Sequence, residues 1–144
     1  QSTRAVLPTI LVQLLAGEKE VKLGRLDPKR DLTFVTDTVE GFVKAAEVED
    51  IEGEVIQLGI GRTVSIGELF DAACAALGPK AHVVQEQARL RPDNSEVMVL
   101  LSDPSKAKSV LGWEALVPLE EGLRRTAVWL ERHLHLYDPE QYHR

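Results

Sequence analysis

The sequence predicts an α/β fold, because segments with helical periodicity alternate along the chain with short apolar segments typical of strands. Two of the predicted helices open with a polar residue that is followed three positions later by a glutamate, which is the arrangement of a capping box. These pairs are Asp37 with Glu40 and Ser65 with Glu68. Glycines follow several of the predicted helices and indicate where they end.

Five helices are predicted, and four of them show one apolar stripe. They cover residues 6–15, a segment starting at Asp37, residues 65–77, residues 103–111 and about 119–133. Pro8 is compatible with the first turn of the first helix, where a missing N–H costs nothing. The second helix is expected to bury Val39, Phe42, Val43 and Ala46.

Short strands are predicted where apolar residues alternate with polar ones or form a compact run. The segments are residues 20–23, 32–35, 54–58 and 82–84. Asp103 is predicted to cap the fourth helix, with Pro104 as the first helical residue. Residues 85–101 show no period, and the polar tail 137–144 is expected to be an extended arm.

Composition excludes several classes of protein. The chain has 144 residues, of which 44% are hydrophobic and 28% charged, as in one globular domain. It has no apolar run of roughly 18 residues and no signal peptide, so no membrane contact and a cytoplasmic location are predicted. The net charge of -6 argues against nucleic acid as a partner. The single cysteine, Cys74, excludes an internal disulfide and is expected to be a small buried hydrophobe.

The residues show no complete catalytic constellation. Gly59 and Gly61 form a GxG after a predicted strand, but Val64 stands where a dinucleotide fingerprint needs a third glycine. A strand-exit turn is therefore favoured over phosphate binding. Neither Tyr137 nor Tyr142 is followed by a lysine four residues on, and the four histidines do not converge on a metal site.

Two arginines stand at positions where a turn would hold their charge. Arg30 ends a polar loop at the start of a predicted strand, and Arg91 precedes Pro92, which restricts the backbone before it. Two guanidinium groups could grip a diphosphate bidentately. Spacing alone favours the alternative, in which each is a solvated surface charge.

Several segments together resemble one family. Residues 23–31, LGRLDPKRD, resemble the "LGNLDAKRDW" segment of GDP-mannose 4,6-dehydratases, which belong to the extended short-chain dehydrogenase/reductase superfamily. Residues 34–41 are similar to that family's "YVEDTVxG", and the Lys106–Trp113 segment is similar to its "KAxxxLGW". Residues 91–97, RPDNSEV, resemble a segment of the nucleotide-GlcNAc 4,6-dehydratases of legionaminic-acid-type pathways.

The resemblance implies a fold and a division of the chain. It implies the C-terminal substrate-binding portion, plus late Rossmann elements, of an extended short-chain dehydrogenase fold. Residues 1–136 would form the sugar-nucleotide-binding region and residues 137–144 the polar arm. NAD or NADP would be bound mainly by an N-terminal half carrying the Gly-rich fingerprint and the Tyr-x-x-x-Lys pair. The start at Gln1, without methionine, is what a cut through a longer polypeptide would produce.

The resemblance also implies seven substrate-binding residues, which are Leu7, Val21, Leu23, Arg30, Gln57, Arg91 and Glu96. The two arginines would hold the substrate diphosphate, and the glutamate would accept hydrogen bonds from ribose hydroxyls. Val21 and Leu23 would border the base, and Leu7 would line the nucleotide end. Gln57, which stands where the family usually has asparagine, would contact the nucleotide or a phosphate.

The implied function of the parent enzyme is NAD(P)-dependent nucleotide-sugar 4,6-dehydration. Hydride leaves sugar C4, water is lost across C5–C6, and the hydride returns at C6. A 4-epimerase of the same superfamily is the alternative, and a non-catalytic nucleotide-sugar-binding or assembly module is another if the upstream half is absent. For this chain alone enzymatic activity is uncertain.

The partners that the resemblance implies are of two kinds. One is a GDP-, UDP- or dTDP-linked sugar as substrate. The other is protein: the chain's own N-terminal half or another chain, and a homo-oligomer is expected. A fragment of a Rossmann sheet would leave strand edges and helix faces uncovered, and such surfaces favour association.

Overall fold

The structure, a computed structural model, describes residues 5–78, 80–90 and 96–137 and confirms the α/β fold class. The helices are α1 Val6–Leu15, α2 Val35–Glu47, α3 Ile66–Leu77, α4 Ser105–Leu111 and α5 Leu119–Arg132. The strands are β1 Glu20–Leu23, β2 Lys29–Arg30, β3 Val64–Ser65, β4 His82–Gln85 and β5 Val99–Leu100. Short 3-10 turns cover Gln87–Arg89 and Leu134–Leu136.

The chain divides into two compact units. Of the described residues, the first unit contains 5–28, 65–78, 80–90, 96–98 and 120–137, and the second contains 29–64 and 99–119. A two-stranded sheet pairs β1 with β4, and a three-stranded sheet has the order β3-β2-β5. Among the described residues, no helix is both long and apolar enough to cross a membrane.

The first unit is built on the parallel pair β1 and β4, in which Val21 lies opposite Val83. Helix α1 is pinned to β1 by the buried Gln13. Its amide oxygen accepts the Lys22 N–H at 2.8 Å, and its amide nitrogen donates to the Lys22 carbonyl at 3.2 Å. The side chain therefore satisfies backbone groups of β1 that would otherwise be buried without a partner. The core of this unit contains Ile10, Leu11, Leu69, Phe70, Leu123 and Leu130.

The second unit contains the parallel pair β2 and β5, with Arg30 opposite Leu100. The Asp31 N–H donates to the Leu100 carbonyl at 2.9 Å, which carries the pairing one residue past the end of β2. The core of this unit is centred on Trp113, which is fully buried together with Ala107 and Leu111. Partly buried residues surround it, among them Ala45, Val48, Ile56 and Leu58.

Predicted ends of helices α3 and α4 are confirmed. The Ser65 hydroxyl accepts the Glu68 N–H at 3.1 Å, and the Glu68 carboxylate accepts the Ser65 N–H at 2.7 Å, so the capping box is complete. Gly78 ends α3 with φ +87° and Gly112 ends α4 with φ +59°, both left-handed conformations that favour glycine.

The start of α4 differs slightly from the prediction. The helix begins at Ser105, so Pro104 precedes it instead of being its first residue. Asp103 still helps to open the helix, because its carboxylate accepts the Ser105 N–H at 3.0 Å. The aspartate acts as predicted on the backbone, while the helical dihedral angles begin one residue later.

The prediction that Asp37 caps α2 is wrong. The helix begins two residues earlier, at Val35, and Asp37 is buried within its first turn. Its carboxylate accepts the N–H groups of Leu116 at 3.1 Å and Val117 at 2.9 Å. The Asp37 carboxylate, which local capping would have used as its acceptor, is therefore engaged in a tertiary contact with a loop that is distant in sequence.

The predicted buried face of α2 is also wrong. Val39, Phe42 and Val43 are 55%, 69% and 51% exposed. The buried face instead includes Asp37 and Gly41. A Cβ on Gly41 would lie 2.6 Å from a methyl carbon of Leu58, so the absence of a side chain lets the helix approach closely.

Two predicted strands are absent. The Leu32–Val35 segment is irregular until α2 begins at Val35, and the strand of this region is β2, just before it. Residues 54–58 form no strand within the described part of the chain, although Ile56 and Leu58 pack on the core around Trp113. A strand requires a hydrogen-bonded neighbour, and an apolar pattern alone does not provide one.

Candidate functional site

Four of the seven predicted substrate-binding residues lie in the described part of the first unit, two of them half-buried and two fully buried. Leu7 is half-buried in the first turn of α1, and Glu96 is half-buried after β4. Val21 and Leu23 are 0% and 2% exposed on β1, so core packing already accounts for their side chains. Their proposed contact with a base stays a prediction. Arg91 lies outside the described residues.

The segment that leads toward Arg91 is seated on the end of β1. The Glu86 N–H donates to the Leu23 carbonyl at 2.9 Å. The Arg89 side chain, 7% exposed, pairs with the Glu86 carboxylate at 2.5 Å. A Cβ on Gly24 would lie 2.5 Å from the Arg89 carbonyl oxygen, so the glycine of the LGRLDPKRD segment permits this approach.

The second unit holds Arg30 and Gln57. Arg30 lies on β2, where its guanidinium donates to the Lys29 carbonyl at 2.9 Å. Gln57 is exposed, and its amide oxygen accepts the Asp103 N–H at 2.8 Å. Gln57 also lines an open cavity of about 370 Å³. Its other walls include Asp31, Leu58, Leu100, Leu101 and Ser102.

Asp31 is the centre of a hydrogen-bonded group that we call the Asp31 cluster, formed by Asp31, Ile60, Gly61 and Ser102. The carboxylate accepts the Ile60 N–H at 3.0 Å and the Gly61 N–H at 2.9 Å. It also accepts the Ser102 N–H at 3.4 Å and a short hydrogen bond from the Ser102 hydroxyl. One carboxylate thus joins three segments that are distant in sequence.

The Asp31 cluster explains the GxG sequence. The backbone N–H groups of Ile60 and Gly61, which a phosphate-binding loop would offer to its ligand, point at the Asp31 carboxylate. Gly59 is required for a different reason, because a Cβ there would lie 1.7 Å from the Ser102 hydroxyl oxygen. The loop is a turn held by an internal anion, and it does not fit the diphosphate of a dinucleotide cofactor.

The surroundings of Asp31 favour its ionised form. Partial burial raises the pKa of this carboxyl, but the hydrogen bonds from the Ser102 hydroxyl and from the N–H groups of Ile60, Gly61 and Ser102 outweigh it. The pKa of Asp31 is therefore below its usual value of 3.8. The carboxylate is charged at neutral pH and committed to internal donors.

We expect the Asp31 cluster to make the free energy of unfolding depend on pH in the acidic range. A depressed folded-state pKa gives a contribution that is complete above the unfolded pKa and is lost as pH falls through the folded value. The free energy of unfolding of wild type should exceed that of Asp31→Asn at neutral pH, and the difference should shrink below about pH 4. Urea unfolding in a series of acidic buffers measures it.

Asp27→Asn is the control for this measurement. The Asp27 carboxyl also has a lowered pKa, because Arg25 hydrogen-bonds to it, but its side chain is exposed. Exposed ion pairs contribute little to stability, so this variant should stay close to wild type at every pH. A constant gap between wild type and Asp31→Asn across the series would contradict the assignment.

Sequence pattern alone does not reveal the Asp31 cluster, although two conspicuous segments contain three of its four members. Asp31 stands directly after Arg30 in the LGRLDPKRD segment, and Ile60 and Gly61 belong to the GxG sequence. Nothing in spacing connects Asp31, Gly61 and Ser102, which are up to 71 residues apart. Among the described residues, no group of histidine, cysteine, aspartate and glutamate side chains could hold a metal ion.

The chain is similar to a family of known enzymes along most of its length. The family model described as GDP-mannose 4,6 dehydratase matches residues 1–126. A UDP-glucuronate 4-epimerase of Thermodesulfobacterium geofontis is 32% identical over 127 residues, which is 87% of this chain and 38% of that protein. The chain therefore spans about two fifths of the length of such relatives.

Solved structures of nucleotide-sugar enzymes are also similar to this chain over most of its length. UDP-glucose 4-epimerase of Thermotoga maritima, crystallised with UDP-glucose, matches with a TM-score of 0.78 and 32% identity, covering 90% of this chain and 40% of that one. The enzyme WbmF of Bordetella bronchiseptica, in complex with NAD+ and UDP, matches with a TM-score of 0.72 and 25% identity over 92% of this chain and 38% of that one. Since the family model covers far more than half of the chain, this protein belongs to the GDP-mannose 4,6 dehydratase family, within the NAD-dependent epimerases and dehydratases of the extended short-chain dehydrogenase type.

Proposed function

We propose that this chain is the nucleotide-sugar-binding part of an NAD(P)-dependent nucleotide-sugar 4,6-dehydratase. The description of the matching family and the LGRLDPKRD segment support this reaction. The observation that carries the proposal is the position of Arg30. It ends β2 directly before Asp31, which the Asp31 cluster holds in place beside the cavity that Gln57 also lines.

In this proposal Arg30 and Arg91 hold the diphosphate, since guanidinium groups bind phosphates bidentately. Gln57 contacts the nucleotide or a phosphate with the donors of its amide, while its oxygen stays on Asp103. Glu96 accepts from ribose hydroxyls. The backbone of β1 at Val21 and Leu23 borders the base, and Leu7 lines the nucleotide end.

The cofactor in this proposal is held by another part of the enzyme. NAD or NADP would supply the hydride acceptor, and the GxG turn of this chain does not fit it because Asp31 occupies the turn's N–H groups. The catalytic groups would likewise come from the rest of the enzyme, and this chain would contribute substrate binding. A cytoplasmic location and self-association belong to the same proposal.

A 4-epimerase is the second candidate reaction, favoured by the names of relatives such as the Thermodesulfobacterium protein and the Thermotoga structure. The two reactions differ in mass balance, because dehydration releases one water and epimerisation releases none. Mass spectrometry of the complete enzyme's product from UDP-, GDP- and dTDP-sugars would separate them. A product lighter by one water supports the dehydratase, and an isomer of unchanged mass supports the epimerase.

We expect Arg30→Ala to weaken binding of a nucleoside diphosphate to this chain. Losing charge-assisted hydrogen bonds costs roughly 1.5–3 kcal/mol, which corresponds to about a 10- to 150-fold higher Kd. Titration calorimetry with UDP, GDP, dTDP and CDP measures this, and the melting temperature should rise with the concentration of the nucleotide that binds.

Lys29→Ala is the matched control, because it removes one positive charge from the neighbouring exposed position of β2. Its effect on Kd should be small, since Lys29 and Arg30 point to opposite faces of the strand. Arg30→Lys keeps the charge and should recover only part of the affinity. Equal losses in Lys29→Ala and Arg30→Ala would indicate general attraction of anions and contradict a specific site. Failure of all four nucleotides to bind at millimolar concentration would contradict the proposed function of the chain.

A further inference from the structure

We infer that Asp31 is a positioning residue, which holds Arg30 ready for the diphosphate of a nucleotide sugar. This inference rests on the proposed function and adds a role for a residue that carries the wrong charge for an anion site. A carboxylate directly beside a phosphate-binding arginine would ordinarily weaken phosphate binding by repulsion. The geometry of the Asp31 cluster explains why the Asp31 carboxylate need not weaken phosphate binding at Arg30.

Asp31 is held by its backbone and by its side chain at the same time. Its N–H donates to the Leu100 carbonyl on β5. Its carboxylate accepts four bonds, from Ile60, Gly61 and both donors of Ser102, and a carboxylate has about four lone-pair sites. The residue that follows Arg30 is therefore fixed by β5, by Ser102 just after that strand, and by the turn at Ile60 and Gly61.

The same hydrogen bonds stabilise the negative charge of the Asp31 carboxylate. Three backbone N–H groups and a hydroxyl dipole converge on the carboxylate, so internal donors stabilise its negative charge. The lowered pKa of Asp31 agrees with a carboxylate solvated by these donors. The strand end that carries Arg30 is therefore rigid, and preorganisation of this kind raises affinity by reducing the cost of ordering.

The two possible roles of Asp31 predict opposite changes in nucleoside diphosphate affinity when the residue is replaced by asparagine. If Asp31 acts only as a nearby negative charge, Asp31→Asn should tighten nucleoside diphosphate binding. If it positions Arg30, the same variant should weaken binding, because the amide cannot accept all four bonds. Ser102→Ala keeps the charge and removes one donor, so it should weaken binding in the same direction and to a smaller extent.

The deciding experiment is a double-mutant cycle measured by titration calorimetry with the nucleoside diphosphate that wild type binds. Asp31→Asn should raise Kd about tenfold in wild type, as expected for misplacing a binding group. In the Arg30→Ala background it should change Kd less than about twofold, because the group that it positions is gone. Asp27→Asn, which removes an exposed negative charge, should leave Kd unchanged in both backgrounds.

Each outcome decides the inference. Tighter binding, unchanged binding, or the same weakening in both backgrounds would overturn a positioning role. If Asp31→Asn does not fold, Ser102→Ala in the same cycle provides the test, with the same expected loss only when Arg30 is present. If wild type binds no nucleotide, the proposed function fails, and that result differs from a cycle in which wild type and Arg30→Ala differ but Asp31→Asn has no effect.

Discussion

Gly59→Ala is expected to destabilise the second unit by about 2–5 kcal/mol, because it combines steric overlap with the loss of charged hydrogen bonds. An alanine Cβ would lie 1.7 Å from the hydroxyl oxygen and 2.6 Å from the Cβ of Ser102, and 2.9 Å from a carboxylate oxygen of Asp31. Rotation of the Ser102 side chain cannot relieve the overlap with its Cβ. The backbone must therefore move, and the Asp31 cluster must open.

Urea unfolding followed by circular dichroism measures this loss, with Gly67→Ala as the matched control. Gly67 lies in α3, and an added Cβ there has its nearest neighbour at 3.8 Å, which is ordinary van der Waals contact. Alanine favours a helix more than glycine, so this control should be neutral or more stable by up to about 1 kcal/mol. A loss in Gly59→Ala no larger than in the control would show that the segments around Gly59 and Ser102 can separate without cost.

A second variant separates the two causes. Ser102→Gly removes the overlapping atoms together with the hydroxyl donor, so the double variant Gly59→Ala/Ser102→Gly should be more stable than Gly59→Ala alone. The recovery should be partial, because Asp31 still lacks its hydroxyl donor. Full additivity of the two single losses would mean that Gly59 and Ser102 do not constrain each other.

Trp113→Ala is expected to destabilise the same unit by about 3–5 kcal/mol, the usual cost of removing a large aromatic side chain from a core. Trp113 is fully buried against Ala107 and Leu111. Its indole N–H donates to the Asp37 carbonyl at 2.8 Å, which connects the core to the first turn of α2. Trp113→Phe keeps most of the volume and should lose less, although it removes the indole donor.

The chain provides its own control, because it has two tryptophans. Trp129 is 49% exposed and stacks on His133 at a ring centroid distance of 4.1 Å. Trp129→Ala should cost less than about half as much as Trp113→Ala, since water already covers much of the ring. Circular dichroism is the appropriate readout, because each variant removes a fluorophore. Equal losses would show that the LGW tryptophan does not anchor the core.

Much of the secondary structure follows from short-range pattern. The capping box of Ser65 and Glu68 is complete as predicted because both partners lie on one helical turn. Helix α1 and strand β1 also lie where periodicity places them. The prediction failed at α2, where a capping pattern at Asp37 and Glu40 and a stripe of large apolar residues both pointed to the wrong arrangement.

The reason for that failure is tertiary. Asp37 satisfies N–H groups of Leu116 and Val117, which lie about 80 residues away. Gly41 provides the close approach to Leu58. These contacts determine which side of α2 is buried in the described chain. They cannot be predicted from hydrophobic periodicity.

By itself the sequence determined the fold class, the family and the positions of elements whose signals lie within one turn or one strand. It also placed Arg30 in a segment typical of nucleotide-sugar enzymes. Only the tertiary structure decided the role of Asp31, because its partners at Ile60, Gly61 and Ser102 come from separate segments. A carboxylate is a generic acceptor, and which donors it meets depends on how strands and turns are brought together.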